Sequence, residues 1–480
     1  MAKTRKPTYE TDRIYNSKEE VIAQADSNLR VPFEKLDKTG RILRVKNKGK
    51  IGQIVEEAVF EININSRPLP DIENLGIELK TTAFKRNKNG TISAKERLVL
   101  TLINYMEENF ADFYHTHLWQ KCAKMLFLFY DGTLDERKPK DYFLEKNYFF
   151  DWIDEDMPTI LDDYNRISAK VLDGKAETIS ESDGNYLSTA TKGEGHGKNM
   201  REQPYSAELA RQRAWELKPS YMTYLLRTYV FNENETESII KNAGQVRASF
   251  QDVIISEVAP YVGKTKAELC TEFGIVAGAK QLCNQIIRHI LHLRDDVDKS
   301  AEFQKANMNL RVIQVNYNGM PKEDSPFKTY SFIEMANETW NDSSVKTEIC
   351  DKRFMFVFFK ATDKTNNEYA LEKVVFWGFP DVLIPEAKRV WKETQDIIND
   401  GVKLTQKDGK VYTNFPTSEK NKIIFTKIHA KNSYYEIAKD TFVGSGKLSD
   451  TNELPDGRRI TKHSFWLPKR FIKQIYDEKI

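Results

Sequence analysis

The strongest constraint on the fold of this 480-residue chain is that its second half repeats the signals of its first half in the same order. ENLGIELK (Glu73 to Lys80) alternates apolar Leu75, Ile77 and Leu79 with Gly76, Glu78 and Lys80, which predicts a strand with Glu78 and Lys80 on one face. MNLRVIQV (Met308 to Val315) takes its place later in the chain. KMLFLFY (Lys124 to Tyr130) is echoed by RFMFVFF (Arg353 to Phe359), and Pro158, Tyr164 and Gly174 by Pro385, Trp391 and Gly401 at equal spacings within helical patterns. AWELKPSYMTYL and SFWLPKRFIKQI close the two halves. Internal duplication therefore predicts two domains, 1–235 and 236–480, divided within the polar stretch at residues 231 to 245.

Composition excludes several classes. With 40% hydrophobic and 11% aromatic residues the chain can bury a core. No stretch approaches the ~20 apolar residues of a membrane span, and MAKTRKPTYE is not a secretory signal, so a cytoplasmic protein without a membrane partner is expected. Cys122, Cys270, Cys283 and Cys350 form no CxxC pair, which indicates neither zinc nor a disulfide framework. The 73 basic and 71 acidic side chains nearly cancel, so any nucleic-acid surface must arise from local segregation. Arg41, Arg44, Lys46, Lys48 and Lys50 form one such run, which on its own equally describes a solvated face. GEGHGK (Gly193 to Lys198) lacks the spacing of a nucleotide-phosphate loop, and the pairs His115 with His117 and His289 with His292 lack the HExxH pattern.

One constellation carries chemistry. Ile51, Ile54, Val55, Ala58, Val59 and Ile62 recur at helical spacing, leaving Glu56 off the apolar stripe. Downstream, Asp71, Glu78 and Lys80 stand as Asp-x6-Glu-x-Lys. Magnesium prefers carboxylate oxygens and water, and phosphodiester hydrolysis needs an activated water and a neutralised oxyanion. Asp71 and Glu78 could hold Mg2+, and Lys80 could orient the water and stabilise the phosphate. As a bare pattern, the same residues also describe an ordinary ion pair.

KGKIGQIVE (Lys48 to Glu56) followed by PDIENLGIELKTTAF (Pro70 to Phe84) closely resembles the MutH-type endonuclease family, and the similarity extends over most of residues 35 to 230. TKGEGHGKNMREQPYS (Thr191 to Ser206) adds a likeness to the GATC-specific type II restriction enzymes of that family, which carry two MutH-like domains. The resemblance implies an α/β fold, two tandem restriction-endonuclease-like domains, each a mixed β-sheet flanked by helices. It implies a Mg2+-dependent site-specific deoxyribonuclease acting on double-stranded DNA, with a cognate DNA methyltransferase as its functional companion. Asp71, Glu78 and Lys80 match the catalytic triplet and Glu56 its assisting helix carboxylate. Lys48, Lys121, Lys192, Lys198, Arg201 and Lys218 fall on or near the family's DNA-contacting positions. The family pattern of two aromatics before Leu-Lys is broken at Glu216 in Trp215-Glu216-Leu217-Lys218.

Aligned by motif, Ile313 and Val315 replace Glu78 and Lys80 in the second half, and Lys431 corresponds to Lys192. A second domain that binds a further DNA site without cutting is expected, the alternative being a scaffold. A non-cutting DNA-binding protein and a GATC strand-nicking repair enzyme are the other functional readings.

Overall fold

The computed structural model describes residues 9–43, 49–65, 67–107, 109–133, 138–193, 199–233, 236–438 and 441–480. The chain forms two compact units, one of Met1–Val253 with Lys299–Ala306, the other of Ile254–Asp298 with Asn307–Ile480. Among the described residues no helix is long and apolar enough to cross a membrane.

In the first unit, helix α1 (Lys50–Ile54) runs directly into a π turn, Val55–Val59. Strands β1 (Ile77–Arg86), β2 (Ile92–Ala94) and β3 (Leu98–Leu102) follow, then α2 (His117–Cys122), β4 (Lys124–Asp131), β5 (Leu144–Asp151) and α3 (Met157–Leu172). Strands β6 (Leu187–Thr191), β7 (Met200–Gln203), β8 (Ser206–Arg211) and β9 (Arg213–Leu217) lead into α4 (Pro219–Leu225). The main sheet has the order β2-β1-β4-β5, with β1 parallel to β4 from Ile77↔Lys124 to Phe84↔Asp131 and both outer pairings antiparallel. A strand enclosed on both faces has no polar side to present, and Met125 to Phe129 are all fully buried. Pro158 opens α3, where a missing backbone N–H costs nothing, and Ile160, Tyr164, Ile167 and Val171 turn its apolar stripe inward. A second, antiparallel sheet, β3-β9-β6, carries the strand that ends in Glu216 and Leu217.

The second unit contains α5 (Leu282–Ile290), β10 (Met308–Val315), β11 (Ser325–Thr329), β12 (Arg353–Ala361), β13 (Tyr369–Gly378), α6 (Ile384–Asp400), β14 (Phe425–Ile428), β15 (His463–Leu467) and α7 (Lys469–Tyr476). Two of its sheets, β10-β12-β13 and β11-β15-β14, repeat the β1-β4-β5 and β3-β9-β6 arrangements of the first unit, including the parallel pairing of β10 with β12.

This register corrects the motif alignment between the halves. Met308 pairs with Arg353 where Ile77 pairs with Lys124. The residue before each strand holds a left-handed conformation, Gly76 at φ 67° and Asn307 at φ 51°. The second residue after each strand start donates its N–H to an aspartate, Leu79 to Asp71 Oδ2 at 2.9 Å and Leu310 to Asp298 Oδ1 at 2.7 Å. The counterparts of Asp71, Glu78 and Lys80 are therefore Asp298, Asn309 and Arg311, and not Ile313 and Val315. The slip is four residues, an even number, so every side chain kept its face and alternation could not reveal it. It arises because the segment between aspartate and strand is longer in the second copy, where the Ala301–Ala306 helix occupies it. By the same reasoning His429, rather than Lys431, stands at the position of Lys192. Each follows a paired strand end (Thr191↔Arg213, Ile428↔His463) and donates its N–H across, to Gln212 O and Lys462 O respectively, both at 2.8 Å.

Candidate active site

The first unit gathers its carboxylates from three places. A tight return between Ile72 and Ile77, closed by hydrogen bonds of 2.9 and 3.2 Å and turned at Gly76, folds Asp71 back onto the start of β1. There Asp71 Oδ2 accepts from the Leu79 N–H, which explains the six-residue gap before Glu78. Two positions along one strand face bring Glu78 and Lys80 together, with Lys80 Nζ 2.8 Å from Glu78 Oε1 and 2.9 Å from the Leu100 carbonyl on β3. The π turn supplies Glu56. Its neighbour Glu57 is clamped by Arg41 in a bidentate pair, Nε to Oε2 at 2.8 Å and an amino group to Oε1 at 2.5 Å, which fixes how the turn presents both acids. Single π turns recur at functional sites, where the extra residue redirects side chains.

Crowding of like charges shows in the proton affinities. Burial, then Asp71 and Glu78, push the Glu56 carboxyl up to about 8, with Lys80 pulling the other way. Burial and Glu78 raise Asp71 to about 6, against the lowering effects of the Leu79 N–H, Lys80 and Lys121. For Lys80, burial disfavours the ammonium ion, but Glu78, its hydrogen bond and Asp71 override it and hold the group charged. Cys122 beside them is buried and pushed up to about 12, an unreactive thiol.

A divalent cation fits this arrangement. Glu78 Oε2 is buried with no hydrogen-bond partner among the described residues, an acceptor left over after Lys80 is satisfied. Among the described residues no three His, Cys, Asp or Glu side chains cluster into a cage. Asp71 and Glu78 would offer a cation two carboxylates, a donor set that water and substrate oxygens would complete and that suits magnesium.

Lys121 on α2 lies 3.5 Å from Glu78 Oε1 and donates to the carbonyls of Leu69 (3.2 Å) and Arg67 (3.5 Å), tying the loop that carries Asp71 to the strand that carries Glu78. Lys192 is half-buried, its ammonium destabilised by burial and otherwise influenced by Glu216, Arg97, Glu96 and Lys80, which places it beside the site. Arg201 is exposed on the β7–β8 ribbon, its guanidinium donating to Met200 O at 3.0 Å. Lys218 faces inward, buried, with Nζ 3.3 Å from Gly184 O. Lys431 is exposed in the second unit. Lys48 and Lys198 lie outside the described residues.

Sequence reasoning missed Arg97. Its guanidinium joins Glu181 at 2.6 Å to Glu216 at 3.2 Å, while burial raises Glu216 to about 7. Nothing in SAKERLVL marks that arginine apart from its neighbours, because its partners lie far away in the chain.

Comparison with known proteins extends these observations. Residues 60–163 match the family described as DNA mismatch repair enzyme MutH. The chain is also 30% identical over 464 residues to the type II restriction enzyme Sau3AI of Staphylococcus aureus, covering 90% of this chain and 93% of that one.

Proposed function

Because this chain belongs to the MutH-like type II restriction endonucleases, we propose that it cuts double-stranded DNA at GATC, using Mg2+ held by Asp71 and Glu78. The observation that carries this reading is the meeting of Lys80 and Glu78 at 2.8 Å, with Asp71 folded onto the same strand. Bound there, magnesium supplies Lewis-acid polarisation of a phosphoryl oxygen and a more acidic water. Lys80 spends two of its three N–H donors on Glu78 and Leu100, which leaves the third for the attacking water or the scissile phosphate. Being charged, it orients and stabilises rather than acting as a base. Glu56, neutral near pH 7 without the ion, loses its proton as positive charge arrives and assists the carboxylate pair. Lys121 positions Asp71 against Glu78.

Lys48, Lys192, Lys198, Arg201 and Lys218 are proposed DNA contacts, with the loop after Lys192 entering a groove to read base edges. For Lys218, buried on Gly184 O, the contact requires its side chain to turn outward. The two units are proposed as a cutting and a non-cutting copy, divided after Val253 rather than at residue 235 and with Lys299–Ala306 returned to the first; the second binds a further DNA site, with exposed Lys431 among its contacts, and stimulates the first. A methyltransferase protecting the same sequence is the expected companion. Alignment with the restriction enzyme through both halves favours this reading over a strand-nicking repair enzyme or a non-cutting binder.

Glu78→Ala and Lys80→Ala should each lower plasmid cleavage in magnesium by more than ~10²-fold, the scale of lost transition-state stabilisation, while gel-shift binding persists. Near wild-type cutting by both variants would exclude this site, and ends mapped away from GATC would exclude the specificity. Two-site plasmids should be cut ~5-fold or more faster than one-site plasmids, the low end of ordinary coupling between sites. Equal rates would reduce the second unit to a scaffold.

A further inference from the structure

In the second unit, the position that corresponds to the metal site has been rebuilt so that a divalent cation no longer fits. Asn309 stands where Glu78 does, and its amide is engaged at both ends: Nδ2 donates to Asp298 Oδ2 at 2.5 Å and Oδ1 accepts from Lys352 Nζ at 2.8 Å. Both oxygens of Asp298 thus carry an N–H, from Asn309 and from Leu310, leaving no counterpart to the unsatisfied Glu78 Oε2. The GQIVE that runs from α1 into the π turn is matched by NQIIR in α5, which puts Arg288 at the sequence position of Glu56. Balance of charge has inverted as well. Three carboxylates (Glu56, Asp71, Glu78) face two ammonium groups in the first unit. Here two carboxylates, Asp298 and Glu348, face Arg311, Lys352 and Lys328, with Glu348 3.1 Å from Lys352 and 3.6 Å from Lys328.

Arg311 replaces Lys80 and keeps its backbone anchor, donating to Pro326 O on β11 at 2.7 Å as Lys80 does to β3. Its guanidinium lies over Phe327 at 4.6 Å, which fixes the plane of the fork. A guanidinium has five N–H donors, and among the described residues only one meets a protein acceptor. A cleft of about 430 Å³ is lined by Pro326, whose carbonyl accepts from Arg311, and by Val312, Gln314, Asn284, Lys266 and Lys322 among others.

We propose that this site binds a DNA backbone phosphate directly, without a divalent ion, through Arg311 and Lys352, with Asn309 and Asp298 holding the two cations in place. Arginine and lysine would do for the phosphate what a metal held by Asp71 and Glu78 would do in the first unit. The inference rests on the reading that the second unit binds DNA, and specifies where and how.

The test uses the full-length chain carrying Glu78→Ala, so that DNA is not cut, titrated with a fluorescent GATC duplex in EDTA. Two duplexes should bind per chain. Arg311→Gln and Lys352→Gln should each weaken the second by ~10-fold or more, and each should flatten its salt dependence by about one phosphate contact. The affinity for the first duplex should not change. Arg311→Lys, which keeps the charge and guards against misfolding, should lose less. Asn309→Glu should make the second duplex dependent on added calcium. If a second duplex binds with unchanged affinity and salt dependence in both Gln variants, this inference falls while DNA binding by the unit stands. If the second duplex requires a divalent ion in the unaltered site, the inference also falls. If no second duplex binds at all, both readings fall together.

Discussion

Raising the pH of the metal-free protein from about 5 to about 8 should destabilise the first unit by an amount set by its carboxylates. Asp71 titrates at about 6 in the fold against an ordinary 3.8, and Glu56 at about 8 against 4.5. Both folded values are raised, so the fold favours the neutral acids. Their stabilising effect is complete below about pH 4 and is lost as the pH climbs through about 6 for Asp71 and about 8 for Glu56. Each unit of displacement corresponds to ~1.4 kcal/mol. Over this interval Asp71 loses roughly 1.4 kcal/mol and Glu56 roughly 4 kcal/mol. Because part of both shifts is one shared repulsion, the pair together amounts to on the order of 3–4 kcal/mol. At ~2–4 °C per kcal/mol for a unit of this size, the melting temperature should fall by about 10 °C. Calorimetry in EDTA at the two pH values measures the drop. Glu56→Gln should remove more than half of it, and magnesium added at the higher pH should restore what protons supplied at the lower. An equal drop in wild type, Glu56→Gln and Asp71→Asn would refute the reasoning.

Two further predictions concern other residues. Lys305 and Asp156 form a buried pair at 2.6 Å, with Tyr221 Oη donating to the other carboxylate oxygen, so Lys305→Met should cost roughly 3–5 kcal/mol in denaturant unfolding. Adding Asp156→Asn should recover much of that loss, and no recovery would assign the cost to packing. Lys192→Ala should reduce the preference for GATC over single-base variants by ~10-fold or more, the weight of about one good base contact; cleavage of a variant-site panel measures it, and an unchanged ranking would remove Lys192 from recognition.

Much of the site's framework was legible because it is local. Alternation along LGIELK places Glu78 and Lys80 on one face, and their side chains meet. Helical spacing kept Glu56 off the apolar stripe, although the regular helix assumed there gives way to a π turn after Ile54. What escaped is non-local or degenerate. Arg97 acquires its meaning from Glu181 and Glu216, which only the pairing of β3 with β9 and the return through β6 bring near. Lys218 looks like a surface cation until strand packing turns it onto Gly184 O. In the second half, Asn-Leu recurs in both ENLGIELK and MNLRVIQV and invites an alignment displaced by four. Only strand register, backbone handedness and the aspartate hydrogen bond separate the two alignments.

The Ala301–Ala306 helix belongs to the first unit although the chain reaches it only after the opening helices of the second. Glu302 receives Ser238 and the Ile239 N–H, Ser220 donates to Lys305 O, and Lys305 neutralises Asp156 at the head of α3. During synthesis the first unit is therefore unfinished until residue 306 has left the ribosome. At ~5–20 residues per second this leaves Asp156 buried or waiting without its partner for some seconds. A truncation anywhere between residues 254 and 298 yields a first unit missing one of its own pieces. A completed first unit exists only after a substantial part of the second has already been made.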